Sequence, residues 1–332
     1  MKSLWIKILI VTVILIVFAG LILKMRQDKI ITDPAKEKTF ETAKSEKKSN
    51  CLTGAFIADR PLSEDIFKFK KDYGKKPFIV LVFLDWGRFV DSAVIKDVYT
   101  DDCRLMVTWE PWHAETKAAI DYDGLLRGEY DEYIRKFAEE LKRINKPVFL
   151  RFAHEMNGDW YPWSGVNIGA GKYAEVYRYV KDIFDTSDAD NVKWVFSINS
   201  EDVPGTEEND FLNYYPGDEY ADFVGIDGYN WGDTKPWSKW TTFEGIFKKC
   251  YTKVTANINK PVIISEFSSA ETGGDKALWI KEAMTRVKKW KHIKALILFN
   301  VNKEAKWSFP SGSSEAEELK KQLDDPYFRD TN

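Results

Sequence analysis

At 332 residues, 44% of them hydrophobic, the chain has the size and the apolar content for one large domain or two smaller ones. A net charge of -3 excludes the broad basic face of a nucleic-acid binder. Aromatic residues make up 15%, with 13 Trp, and an indole N–H needs a partner when buried, so this excess points to a groove for a flat ligand.

The chain starts MKSLWIKILIVTVILIVFAGLILKMR, an apolar run from Ile8 to Leu23 between basic flanks. That is near the shortest length that crosses a bilayer. A cleavable signal peptide ending at Val17-Phe18-Ala19 is the rival reading, but Leu21–Leu23 prolong the run and favour an uncleaved signal anchor over residues 1–23. Residues 24–50 are charged and poor in apolar side chains, the composition of a disordered tether. A flexible coil of that length spans roughly 30 Å. The expected placement is single-pass in the cell membrane with an extracellular catalytic domain, secretion being the alternative. Three scattered cysteines, Cys51, Cys103 and Cys250, make no disulfide framework.

From residue 51 to 332 short apolar runs alternate with amphipathic stretches. The predicted strands are 52–59, 78–86, 104–112, 147–155, 192–200, 223–231, 261–269 and 295–302. They are near-continuous apolar runs, as parallel strands buried on both faces require. Between them lie helical patterns such as the stripe Tyr130, Ile134, Phe137, Leu141 and Ile144, closed by Asn145 and Pro147. Eight βα units predict an α/β fold, a (β/α)8 TIM barrel preceded by an N-terminal hydrophobic helix. A doubly wound open sheet is the alternative, but no GxGxxG follows the first strand.

In a barrel of this kind chemistry gathers at the C-terminal ends of the strands. Asp59, Asp85, Trp86, Trp109, Glu110, His154, Glu155, Asn199, Tyr229, Asn230, Trp231, Glu266 and Asn300 all fall there. Glu155 after the fourth strand and Glu266 after the seventh face each other across the mouth. Two carboxyl groups flanking one bond are what glycoside hydrolysis needs, and Trp or Tyr faces suit the apolar C–H face of a sugar. Zinc is a poor alternative: HExxH is absent and the chain has 3 His, so neither metal nor cofactor is expected. Asp59, Asp85 and Glu110 also fit helix caps or loop anchors. Arg151 shares strand parity with Glu155, which points it into the barrel towards the site.

The segments FLRFAHEMNGDWYPWSG, GIDGYNW, PVIISEF and FNVNKEAKWSF resemble the corresponding motifs of glycoside hydrolase family 26, which holds β-mannanases and related β-glucanases. The resemblance runs from Leu52 onward and implies a retaining (β/α)8 hydrolase. It implies Glu155 as acid/base and Glu266 as nucleophile. His154 would hydrogen-bond the sugar on the non-reducing side of the scissile bond, and Tyr229 would set its phenol near the nucleophile. Trp307 would be the stacking floor under that sugar. Asn157, Trp160 and Trp163 would shape the positions around the acid/base, and Trp231, Trp109 and Asp59 complete the expected substrate contacts.

Aromatic neighbours are expected to keep Glu155 protonated by desolvation. Mannose and glucose differ at one hydroxyl, so preference hangs on one or two side chains. Tyr229-Asn230-Trp231 looks more like the β-glucanase members. With the membrane tether, this favours an endo-β-1,4-glucanase, monomeric in its catalytic domain, trimming a polysaccharide at the same cell surface. An endo-β-1,4-mannanase (or a mixed-linkage β-glucanase) is the runner-up, and an inactive barrel that binds glycan is the non-enzyme alternative.

Overall fold

The structure is a computed structural model and describes residues 50–330. The predicted signal anchor at 1–23 and all but the last residue of the predicted tether lie outside the described residues. Eight parallel strands form the barrel: β1 (Cys51–Phe56), β2 (Ile79–Asp85), β3 (Arg104–Glu110), β4 (Val148–Phe152), β5 (Val192–Asn199), β6 (Phe223–Asn230), β7 (Val262–Ser269) and β8 (Ile293–Phe299). Each pairs with the next, and β8 closes onto β1 through registers such as Phe56 with Phe299. Among the described residues, no helix is long and apolar enough to cross a membrane.

Seven longer helices wrap the barrel: α1 (Ser63–Tyr73), α2 (Ser92–Thr100), α3 (Asp131–Arg143), α4 (Ala170–Thr186), α5 (Phe243–Asn257), α6 (Lys276–Val287) and α7 (Ser314–Leu323). Side chains start four of them: Asp91, Thr242, Asp275 and Ser313 each accept from a first-turn amide. In α3 the expected stripe Ile134, Phe137 and Leu141 is buried, and Asn145 beyond it takes a left-handed φ of 53°. The connection from β5 to β6 departs from the eight-unit expectation. It holds a one-turn 3-10 helix, Phe211–Tyr214, where a full helix was predicted.

Apolar side chains separate into two clusters. The larger fills the layer between barrel and helices. The smaller, with Leu81, Met106, Phe149, Val195 and Ile263, fills the barrel from the N-terminal side. Two residues further along the same strands the inward positions turn polar, with Arg151 on β4, Ser197 on β5 and Asp227 on β6 all buried. Gly225 makes room there: a Cβ on it would stand 2.5 Å from Ser197 Oγ and 2.6 Å from Ser265 Oγ. The apolar half thus holds a polar half at a fixed height under the mouth.

Candidate active site

Two backbone irregularities aim the carboxylates. On β7 the pairing slips by one residue, since Ile226 faces Ile264 but Asp227 faces Glu266. A bulge lets consecutive residues point to one side. Ser265 therefore donates to Asp227 Oδ1 inside the barrel at 2.6 Å while Glu266 also faces inward. On β4 the ladder stops at Phe152, three residues short of the predicted end. Ala153 and Glu155 both take left-handed φ values, 50° and 53°, which L-residues adopt only at a cost of roughly 1–2 kcal/mol. The kinked segment is held by Ala153 N–H to Trp109 O (3.0 Å) and Glu155 N–H to Ser197 O (2.8 Å). Strain sustained in this way is characteristic of functional sites.

The two glutamates sit in contrasting surroundings. Glu266 Oε1 accepts from Arg151 Nη1 at 2.8 Å, and its Oε2 accepts from the Tyr229 hydroxyl. Glu155 Oε2 accepts from Trp160 Nε1 and Oε1 from Asn199 Nδ2, both at 2.9 Å. Burial, with the charge of Glu266 adding to it, lifts the Glu155 carboxyl from 4.5 to about 7. Trp160 acts in the opposite sense to the expectation from its ring alone: its N–H favours the charged carboxylate and holds the value down.

Arg151 is fully buried beneath both. Its Nη2 meets Asp227 Oδ2 at 2.5 Å and its Nε donates to Ser197 Oγ at 3.2 Å. Burial opposes its charge, but Asp227 and Glu266 outweigh that and raise its pKa. His154 is held neutral by burial and by Arg151. Its Nε2 lies 3.2 Å from the Tyr161 hydroxyl, and its Nδ1 has no hydrogen-bond partner among the described residues.

Both glutamates, with His154, Tyr161, Asn199 and Tyr229, line a cleft of about 870 Å³ at the C-terminal end of the barrel. Of the predicted contacts, His154, Glu155, Trp160, Tyr229, Trp231, Glu266 and Trp307 reach it. Four do not. Trp109 points outward, stacked on Trp86 at 4.8 Å and packed on Phe137, because inward positions on β3 are Met106, Thr108 and Glu110. Trp163 is buried behind Tyr161, stacked at 4.2 Å, and donates to His154 O. Asn157 is buried and ties the loop after β4 to the loop after β5, accepting from Asn199 N–H and donating to Asp202 Oδ1. Asp59 is exposed and its nearest cation is Lys303 at 3.6 Å.

Asp85 and Asn300 are also structural: the first pairs with Arg88, and the second joins Tyr73 to Phe309 N–H. Conversely, the cleft contains groups beyond the expected substrate contacts. Glu110 is buried there beside Trp112, whose Nε1 donates to it at 3.0 Å, and burial raises it to about 7. Strand parity with Met106 was the available signal. Lys303 sits over the rings of Phe56 and Phe83 at 4.8 and 5.3 Å, and Trp237 lies at the cleft's outer edge. Nothing in the local sequence of those two marks them. Among the described residues no cluster of His, Cys, Asp and Glu could hold a metal ion.

The model of Glycosyl hydrolase family 26 covers residues 58–312. This chain belongs to glycosyl hydrolase family 26. The family 26 chain is 40% identical over 275 residues to Endoglucanase H of Acetivibrio thermocellus, covering 79% of this chain but only 29% of that protein. It is 27% identical over 147 residues to a mannan endo-1,4-beta-mannosidase of Bacillus subtilis, covering 41% of this chain and 34% of that one. The fold is shared with the family 26 domain of an endo-beta-mannanase/endo-beta-glucanase from Prevotella bryantii. That match has a TM-score of 0.62 at 15% identity, over 84% of this chain and 90% of that one.

Proposed function

We propose that this family 26 hydrolase is a retaining endo-β-1,4-glucanase with Glu266 as nucleophile and Glu155 as acid/base. The observation that carries the reading is the split between the two carboxyl environments. Glu266 accepts hydrogen bonds from a guanidinium and a phenol, while Glu155 is buried and lifted to about 7. In the first step a Glu266 oxygen attacks the anomeric carbon, the glycosidic C–O bond breaks, and the Glu155 proton goes to the leaving oxygen. In the second, Glu155 as carboxylate takes a proton from water, whose oxygen displaces Glu266 from the same carbon. His154, Trp160, Tyr229, Trp231 and Trp307 are assigned to the sugar, and Arg151 to holding Glu266. Trp109, Asn157, Trp163 and Asp59 are assigned no direct contact with the sugar.

Similarity to Endoglucanase H over most of the chain supports glucan as the substrate. The shorter mannanase matches support β-mannan as the second reading. Reducing-sugar release from carboxymethylcellulose, barley β-glucan and mannan decides between them. Activity on the glucans is expected; activity on mannan alone transfers the assignment, and inactivity on all three points to a glycan-binding barrel. Assignment of the glutamates is tested with a dinitrophenyl glycoside, whose leaving group needs no proton. Glu155→Ala should lose about 10²–10⁴-fold on polysaccharide but release dinitrophenol readily, whereas Glu266→Ala should lose both. The apolar run at 8–23 and the charged stretch at 24–50 support placement of the enzyme outside a membrane, acting on surface polysaccharide. Fractionation of the full chain, with protease added to intact cells, tests that placement; a protected catalytic domain refutes it.

A further inference from the structure

The cleft's aromatic wall continues beyond the catalytic pair. From Trp307, whose side chain is buried, the rings step to Trp231 at 4.8 Å and then to Trp237 at 5.4 Å, both edge-on. Trp237 is 71% exposed, more than any other large hydrophobic residue in the described chain. An indole left in water on a packed loop is unusual, and it lies at the rim of the cleft rather than on a remote face.

The loop that presents it is fixed at both ends. Asn230 Oδ1 accepts from Gly232 N–H at 3.2 Å and from Thr241 N–H at 2.9 Å, closing the loop at its foot. Gly232 has a left-handed φ of 55° and passes so close to Thr272 that a Cβ would lie 2.0 Å from its carbonyl oxygen. Lys235 sits over the Trp231 ring at 5.6 Å and reaches the Glu304 carbonyl at 3.5 Å, bracing the loop against the segment after β8. Ser238, Lys239 and Thr241, beside Trp237 on the cleft, add hydroxyl and ammonium groups suited to sugar hydroxyls. A rigid, exposed, flat apolar face with polar groups alongside is the chemistry of a pyranose platform.

We propose that Trp237 is the platform of an outer subsite that binds a β-linked hexose unit beyond the two flanking the scissile bond. The subsite rests on the glycan-hydrolase reading above and deepens it, since an outer grip on the chain is what internal cleavage of a polymer uses. Trp237→Ala is compared with the parent on barley β-glucan and on cello-oligosaccharides from disaccharide to hexasaccharide. KM for the polymer and for the hexasaccharide should rise about tenfold, the order set by losing some tens of Å² of apolar contact. The shortest cleaved oligosaccharide should keep its KM, the melting temperature should not move, and Trp237→Phe should recover most of the loss. Equal KM values for parent and variant at every length, with the parent active, overturn the subsite and leave the hydrolase reading intact. A parent that cleaves none of these substrates overturns the glucanase reading. Calorimetric titration with the hexasaccharide then decides the subsite: affinity that falls in Trp237→Ala sustains it, and equal or absent affinity overturns it.

Discussion

Arg151 Nη1 donates to Glu266 Oε1 at 2.8 Å at a depth where the arginine side chain is wholly shielded from water. The same guanidinium holds Asp227, so one cation serves two carboxylates from different strands. Removing it leaves two buried carboxyl groups without their cation, and breaking a buried pair costs about 3–5 kcal/mol. Arg151→Met should therefore unfold at much lower denaturant concentration and lose most activity. Arg151→Lys should fall between, because a point charge cannot span two acceptors as a planar fork does. A Met variant with parental stability would show that the pair is not the fold's central electrostatic contact.

The pH dependence follows from two raised carboxyls, Glu155 and Glu110, each moved from 4.5 to about 7 chiefly by burial. An acid with a higher pKa in the folded state binds more protons there. Its favourable contribution is complete below about 4.5 and is lost as pH rises to about 7. With Glu155 as the proposed acid, kcat/KM should fall on the alkaline side with an apparent pKa near 7. Glu110→Gln keeps an acceptor for Trp112 and removes one titration. Its melting temperature should decline less between pH 5 and 8 than the parent's, while the alkaline limb of kcat/KM stays. Parallel stability curves for the two proteins would defeat the assignment.

Trp160 donates to Glu155 and also exposes its ring on the cleft, with 43% of the residue accessible. Phenylalanine keeps a ring and removes the N–H that favours the carboxylate. In Trp160→Phe the alkaline limb of kcat/KM should consequently move to higher pH, even as the rate falls. A limb that moves down, or stays, contradicts the hydrogen bond's role.

Most of the barrel is legible in the sequence because parallel strands are uniform apolar runs, and all eight fall where those runs lie. Glu155 and Glu266 are legible as strand-end carboxylates, but what aims them is not. The bulge that turns Ser265 and Glu266 to one side, and the left-handed Ala153 and Glu155, arise from neighbouring strands and leave no local signature. Trp109 illustrates the opposite failure. A Trp near a strand end suggests a sugar platform, yet period-two alternation from Met106 assigns the mouth to Glu110 and sends Trp109 to the helix layer. After β5 the polar 200–222 segment has too few apolar residues for an amphipathic helix and forms only the short 3-10 turn Phe211–Tyr214.

Lys276 sets stability against function. It opens α6, where the helix's own partial positive charge disfavours a cation, and it is 5% exposed. Its ammonium donates to the carbonyls of Lys306 (3.2 Å), Trp307 (3.0 Å) and Ser308 (2.7 Å) and lies 4.4 Å from the Phe309 ring centroid. Burial lowers its pKa from 10.5 to about 8, against the smaller opposing pull of Glu315 and Glu271. A lysine lowered in this way binds fewer protons when folded, so its burden on stability is complete below about pH 8 and is relieved as pH rises towards 10.5. Lys276→Met gives up the three hydrogen bonds but also the buried charge, so its stability at pH 7 should stay within about 1 kcal/mol of the parent's. Its KM should nevertheless rise severalfold with kcat less affected, because the segment carrying Trp307 loses its clamp. A lysine kept only for stability would show the reverse, a lower melting temperature with KM unchanged. Between pH 8 and 10.5 the parent should also gain stability relative to the Met variant, which a pair of denaturation series reads directly.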